Sequence, residues 1–341
     1  MQIPDGRDMM FINEENGRMG GEERRSMNIK KINQMFLVTV LISLLAGFLP
    51  LNRMFPDEGA RLLFSEVLLA APGAIWIFAA KRSYVKTVRL KKIHGSTVLL
   101  LFLFFIAIMP LMSMINAISM LFVDNVTGNT LAQVVSGHSF PVSLVLIALL
   151  PCVFEESVYR GLFYNEYRKA APIGGIVLSA FLFGIMHANW NQFSYAFVMG
   201  VVFSLLIEAT DSILSSMLVH FFINGWSATL LFLVDRFSEY FPEEIAQAFD
   251  TAQDMTPQTF GDVLRTFLPM VLVGTAAAVV IYRQIAVKEG RLAAVREIFA
   301  RGARGGEAGA RVYGKRVSLF SVPLVVAIVF LVLLMVVNEL L

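Results

Sequence analysis

The chain of 341 residues is 57% hydrophobic and only 16% charged, whereas an ordinary soluble domain is about half apolar and about a quarter charged. A formal net charge of +2 gives no ground for a nucleic-acid partner. The lone cysteine, Cys152, excludes an internal disulfide framework and a cysteine-rich zinc site.

Residues 1–34 mix Arg7, Arg18, Arg24, Arg25, Lys30 and Lys31 with Glu14, Glu15, Glu22 and Glu23. No apolar core interrupts them, so a polar tail is expected rather than a secretory signal peptide. A bilayer core of ~30 Å takes about 20 apolar residues of helix. Candidate spans follow at Met35–Leu51, Ala60–Ala80, Thr97–Val123, Phe140–Phe163, Ile173–Trp190, Phe193–Glu208, Ser212–Val234, Leu264–Tyr282 and Leu319–Val337. The expected fold is all-α, a polytopic transmembrane bundle of about nine spans, with eight as the alternative. The fifth and sixth are short and nearly contiguous. Pro110 and Pro151 fall inside spans, which membrane helices tolerate.

Basic residues mark one side. They fill the tail, the loop Lys81–His94, the turn with Arg160, Arg168 and Lys169, and the last loop from Arg283 to Arg316. Threading nine spans puts all four on the same side, while Phe237–Asp262 is acidic. The positive-inside rule then places the N-terminus in the cytoplasm and the C-terminus outside, in a multi-pass protein of a bacterial-type cell membrane. The expected division is a cytoplasmic tail (1–34), three spans with a basic loop at 81–96 (35–139), and a core of spans four to seven (140–234). An acidic extracytoplasmic loop (235–263) and two spans with a basic cytoplasmic loop at 284–318 (264–341) complete it. Within that last loop, Lys288–Phe299 has the pattern of a short surface helix, and the Gly/Arg-rich stretch after it that of a flexible segment.

Ionisable groups inside membrane helices cost on the order of 2.5–3.5 kcal/mol each and default to a functional hypothesis. In the fourth span, PCVFEESVYRGLFYNEYR, Glu155 and Glu156 point about 100° apart. Glu156 and Arg160 share a face at i, i+4, which leaves Glu155 free to face a cavity as a general base. The fifth span sets Phe183 and His187 four residues apart, and the seventh sets His220 and Asn224 at the same spacing. Each set has a plain structural alternative: a helix-end charge cluster, a hydrogen-bonded core histidine, and a polar pair joining helices. His187 falls toward the outer end of its span. His94 and His138 read as surface residues and Cys152 as packing.

Glu155-Glu156-x-x-x-Arg160, Phe183-x-x-x-His187 and His220-x-x-x-Asn224, in this order on separate helices, resemble the CPBP family of intramembrane proteases. That family, also called Abi, includes the CaaX-prenyl endopeptidases. The resemblance covers roughly Phe140–Val234. It implies an endopeptidase in which Glu155 and His187 activate water, His220 and Asn224 stabilise the oxyanion, and Glu156 and Arg160 brace the helix. The implied partners are membrane lipids and a membrane-associated or lipidated peptide or protein. A Glu–His pair needs no cofactor. The alternative is Zn2+ held by Glu155, His187 and His220, with no HExxH pattern present. A non-catalytic immunity or scaffold protein of the same fold, and a proton-coupled transporter, are the competing functions. Motifs of this kind say nothing of oligomeric state.

Overall fold

The computed structural model describes residues 28–237, 240, 259–303 and 318–340. Among them the protein is a polytopic all-α bundle with eight helices long and apolar enough to cross a membrane. In chain order the helices are α1 (Asn28–Gly47), α2 (Leu51–Met54), α3 (Glu58–Ala79), α4 (Tyr84–Thr87), α5 (Gly95–Ser119), α6 (Val126–Gly137) and α7 (Phe140–Ala170). There follow α8 (Pro172–Met186), α9 (Trp190–Thr210), α10 (Leu214–Phe237), α11 (Phe260–Lys288), α12 (Leu292–Ala303) and α13 (Val322–Leu340).

Side-chain caps set several starts. Asp57 accepts from the Ala60 N–H, Asn125 from Gly128, Asn189 from Gln192 and Thr259 from Asp262, each satisfying an orphan donor of a first turn.

The structure revises several sequence-derived boundaries. The first helix begins at Asn28, inside the stretch expected as a polar tail. Its Asn33 is fully buried and bonds Leu319 O, Ser321 Oγ and Tyr167 Oη at 2.9, 2.9 and 2.6 Å. Those tertiary partners make a polar turn helical where composition alone indicates coil. A further helix, α6, precedes the fourth span. The fifth candidate span is the 15-residue α8, roughly 22 Å long and shorter than a bilayer core. It ends before the expected Trp190 because Ala188 turns to φ 50° and Asn189 then caps α9. The expected surface helix is α12. The Gly/Arg-rich stretch after it and most of the acidic loop lie outside the described residues.

Pair contacts give the helix directions. Gly59 meets Leu146 and Gly73 meets Leu162, so α3 runs parallel to α7. Tyr159 meets Phe183, and Tyr167 meets Gly175, so α8 returns antiparallel to α7. Gly184 meets Phe197 and Gly200 meets Ala180, so α9 is antiparallel to α8. Phe232 meets Phe140 at a tilt and His220 meets Glu156, so α10 is antiparallel to α7; Phe203 stacks on His220 across the short corner that joins α9 to α10.

One end of this bundle is tied by charge. Buried Glu208 accepts from Tyr164 Oη at 2.8 Å and from Arg168 at 2.6 Å, with Arg291 3.8 Å away. Asp211 at the α9–α10 corner pairs with Arg89 and Lys91. Burial alone would raise the Asp211 carboxyl, but hydrogen bonds from Lys91 and Arg89 outweigh it and hold it at about 2. Asn28 reaches Glu166 at 3.4 Å. Basic residues of the 81–96 loop, the α7–α8 turn and the loop after α11 therefore gather at one end, beside the start of α1.

Candidate active site

α7 carries the two adjacent carboxylates, and it is not a uniform α-helix. Val145–Leu149 and Ser157–Tyr164 are π-helical and bracket the turn that holds Glu155 and Glu156, a distortion common at functional sites. Pro151 has no N–H for the carbonyl of Ile147 four residues earlier. Asn224 on α10 supplies the missing donor, Nδ2 to Ile147 O at 3.1 Å. A backbone irregularity and a polar side chain on another helix thus satisfy each other.

Glu156 points into the protein. Its Oε1 lies 3.1 Å from Arg160 Nη1, with both side chains fully buried. No guanidinium N–H is aligned for a hydrogen bond, so this is an ion contact. The guanidinium lies over Phe183 at 4.2 Å and near Phe203 at 5.1 Å, a cation–π setting that stabilises a desolvated charge. The same Oε1 accepts from His220 Nδ1 at 3.2 Å. Glu156 therefore orients a histidine as well as an arginine, a link that i, i+4 spacing does not reveal.

Glu155 turns the other way. Its Oε1 is 3.8 Å from His187 Nε2 and its Oε2 is 3.5 Å from His220 Nε2. Both distances exceed a direct hydrogen bond. His187 Nδ1 donates to Phe183 O at 2.9 Å, so in the neutral ring Nε2 is the free acceptor and faces Glu155. In His220, Nδ1–H is directed to Glu156, and Nε2 accepts from Asn224 Nδ2 at 3.2 Å. Glu155 and His187 retain 13% and 16% side-chain exposure, against 2% for His220, so the accessible side of the cluster is the Glu155–His187 side.

The structure thus brings Glu155, Glu156, Arg160, His187, His220 and Asn224 together from three helices. His187 sits at the C-terminal cap of the short α8, and that early end sets it opposite Glu155. Phe183 forms the common wall, in edge contact with His187 at 5.1 Å and His220 at 6.1 Å. Cys152 is buried packing. His94 is an exposed side chain beside Glu289, while His138 is only 20% exposed and lies 3.4 Å from Asp57, more enclosed than a surface loop implies.

A zinc site needs donors that converge with free lone pairs. Among the described residues no group of three or more His, Cys, Asp or Glu side chains is arranged to hold a metal ion. The local reason is that both His220 nitrogens are engaged, one by Glu156 and one by Asn224. The side chains as placed do not fit the ion, and no step is derived through it.

The motif-bearing residues leave out a buried carboxylate that stands beside them. Glu66 on α3 is 7% exposed and interacts electrostatically with Glu155. Its signal in the sequence is the one that marks α7, an ionisable residue inside an apolar run, LLFSEVLLAAPG.

An integral membrane bundle with a carboxylate between two histidines in its interior defines a class of intramembrane sites suited to hydrolysis. Residues 137–226 match the family model described as Type II CAAX prenyl endopeptidase Rce1-like, so this part of the chain carries a CPBP/Rce1-like domain of the CaaX protease family. All seven motif residues lie within the match. No curated protein and no solved structure matches the chain.

Proposed function

We propose that the protein is an intramembrane endopeptidase that cleaves a peptide bond in a membrane-associated or lipidated peptide or protein. The observation that carries this reading is the division of labour between neighbouring carboxylates. Glu156 is committed to Arg160 and His220, whereas Glu155 faces the free Nε2 of His187 at 3.8 Å. A water between two acceptors donates one hydrogen to each and turns its lone pair toward a substrate carbonyl. As its oxygen bonds the carbonyl carbon, Glu155 takes the proton. Charge then develops on the carbonyl oxygen beside the Asn224–His220 pair, and the Asn224 Nδ2–H held at 3.2 Å from the His220 ring turns to that oxygen as its donor. Collapse breaks the C–N bond, and the proton on Glu155 passes to the departing amine. The products are a carboxylic acid and an amine, and the glutamate is regenerated.

Three residues on from His187, Trp190 lines an apolar recess of about 480 Å³ with Ile115, Ile118 and Phe122, a surface suited to an apolar or lipid-bearing substrate segment. The positive-inside rule, with the basic segments at one end of the bundle, supports an N-terminus in the cytoplasm of a bacterial-type cell. In this reading residues 140–234 are the catalytic core, and the flanking spans control access.

Purified protein in lipid nanodiscs, mixed with membrane-tethered peptides with and without a lipid anchor, tests the proposal. Wild type should cut, and Glu155→Gln, His187→Ala and His220→Ala should not. Cleavage that survives Glu155→Gln refutes the chemistry. Activity lost on chelation and restored by zinc alone refutes the metal-free form.

A further inference from the structure

Glu66 lies outside the matched segment and has no part in the steps above. Its Oε2 is buried without a hydrogen-bond partner among the described residues. Two glycines fix where it points. Gly59 packs on Leu146 and Gly73 on Leu162, each so closely that a Cβ would stand 2.6 Å from the leucine Cδ1. Residues seven apart share a helix face, and Glu66 is midway between these glycines. Because α3 runs parallel to α7, the matching midpoint on α7 is Phe154, next to Glu155. Glu66 therefore faces α7 at the level of the site.

Among the described residues no cation answers it. Arg61, on the same helix, is held by Glu58 and by the Phe55 and Pro56 carbonyls. Arg160 is taken by Glu156 and two aromatic rings. A carboxylate withdrawn from water without a counter-charge is costly, and a partner that brings the charge removes the cost. We propose that Glu66 is a specificity-determining residue whose carboxylate receives the ammonium or guanidinium group of a Lys or Arg side chain flanking the scissile bond. The preferred substrates are then membrane-tethered peptides that are basic at one position beside the cut, a choice that rests on the peptidase reading of the site.

The test uses one tethered peptide with Lys, Arg, norleucine or Glu placed in turn at each position around the bond. Cleavage (kcat and KM separately) and binding to the full-length protein are both measured. At one position wild type should favour Lys and Arg over norleucine, roughly thirtyfold in KM or Kd, the lower end of what removing one buried charged partner costs. Glu66→Gln should abolish that preference, read as the ratio of Lys to norleucine peptide within the same variant. Glu66→Arg should transfer the preference to the Glu peptide, a gain that a misfolded variant cannot produce. A wild type indifferent to charge at every position, or a preference unchanged by Glu66→Gln, overturns the proposal and leaves the peptidase reading intact. If nothing is cut, the peptidase reading fails, and the binding series alone decides for or against Glu66.

Discussion

Removing one member of the Glu156–Arg160 pair should be worse than removing both. The two side chains are fully buried with N···O at 3.1 Å. Arg160→Met fills much of the space beneath Phe183 and Phe203 but strands the Glu156 charge, at a cost of about 3–5 kcal/mol. Glu156→Gln keeps an oxygen for His220 Nδ1, 3.2 Å away, but strands the guanidinium, at a similar cost of about 3–5 kcal/mol. The double variant removes both charges and keeps the His220 acceptor. It should cost less than either single change, since replacing a buried pair with packed neutral groups is often close to neutral. Unfolding in mixed micelles, followed by tryptophan fluorescence over a denaturant series, gives all four stabilities. Costs that add to within about 0.5 kcal/mol would show that the two charges do not depend on each other, and the account of Glu156 as the committed carboxylate would fail.

The remaining expectations concern the other contacts. Glu155→Gln should lower kcat at least ~100-fold, in line with loss of a general base, with no loss of stability; full turnover in a nanodisc assay would contradict its role. Asn224→Ala should cost about 1–3 kcal/mol by unpairing the buried Ile147 carbonyl. Adding Pro151→Ala should recover part of that stability and none of the cleavage, and recovery of both would make Asn224 purely structural. Gly200→Ala would set a Cβ 2.7 Å from Ala180 Cα and Cβ and 3.2 Å from Arg160 Nη2. Forcing α9 from α8 should cost roughly 1–3 kcal/mol and weaken cleavage by displacing His187; an unchanged melting temperature would refute this. Asp211, held at about 2, lies below its unfolded value of about 3.9. Its stabilisation is therefore complete above about pH 4 and lost as pH falls toward about 2. Asp211→Asn should flatten the acid side of the stability curve, and an identical slope in both proteins would rule the pair out as its source.

Local spacing carries a good part of this protein. Apolar runs of about 20 residues announce the long helices, because a bilayer core leaves a helix few polar positions. Glu156 and Arg160 meet because residues four apart share a face, and the same rule turns Glu155 elsewhere. What crosses between helices was not legible. The His187 distance to Glu155 depends on α8 stopping at Met186, and that stop depends on a left-handed Ala188 and a cap from Asn189, neither a motif. The Glu156–His220 and Asn224–Ile147 contacts depend on the antiparallel register of α7 and α10, and Glu66 on the parallel register of α3. Periodicity records which face of a helix is polar. Only the close packing at Gly59, Gly73 and Gly200, with the π-turns of α7, decides the depth at which one polar face meets another.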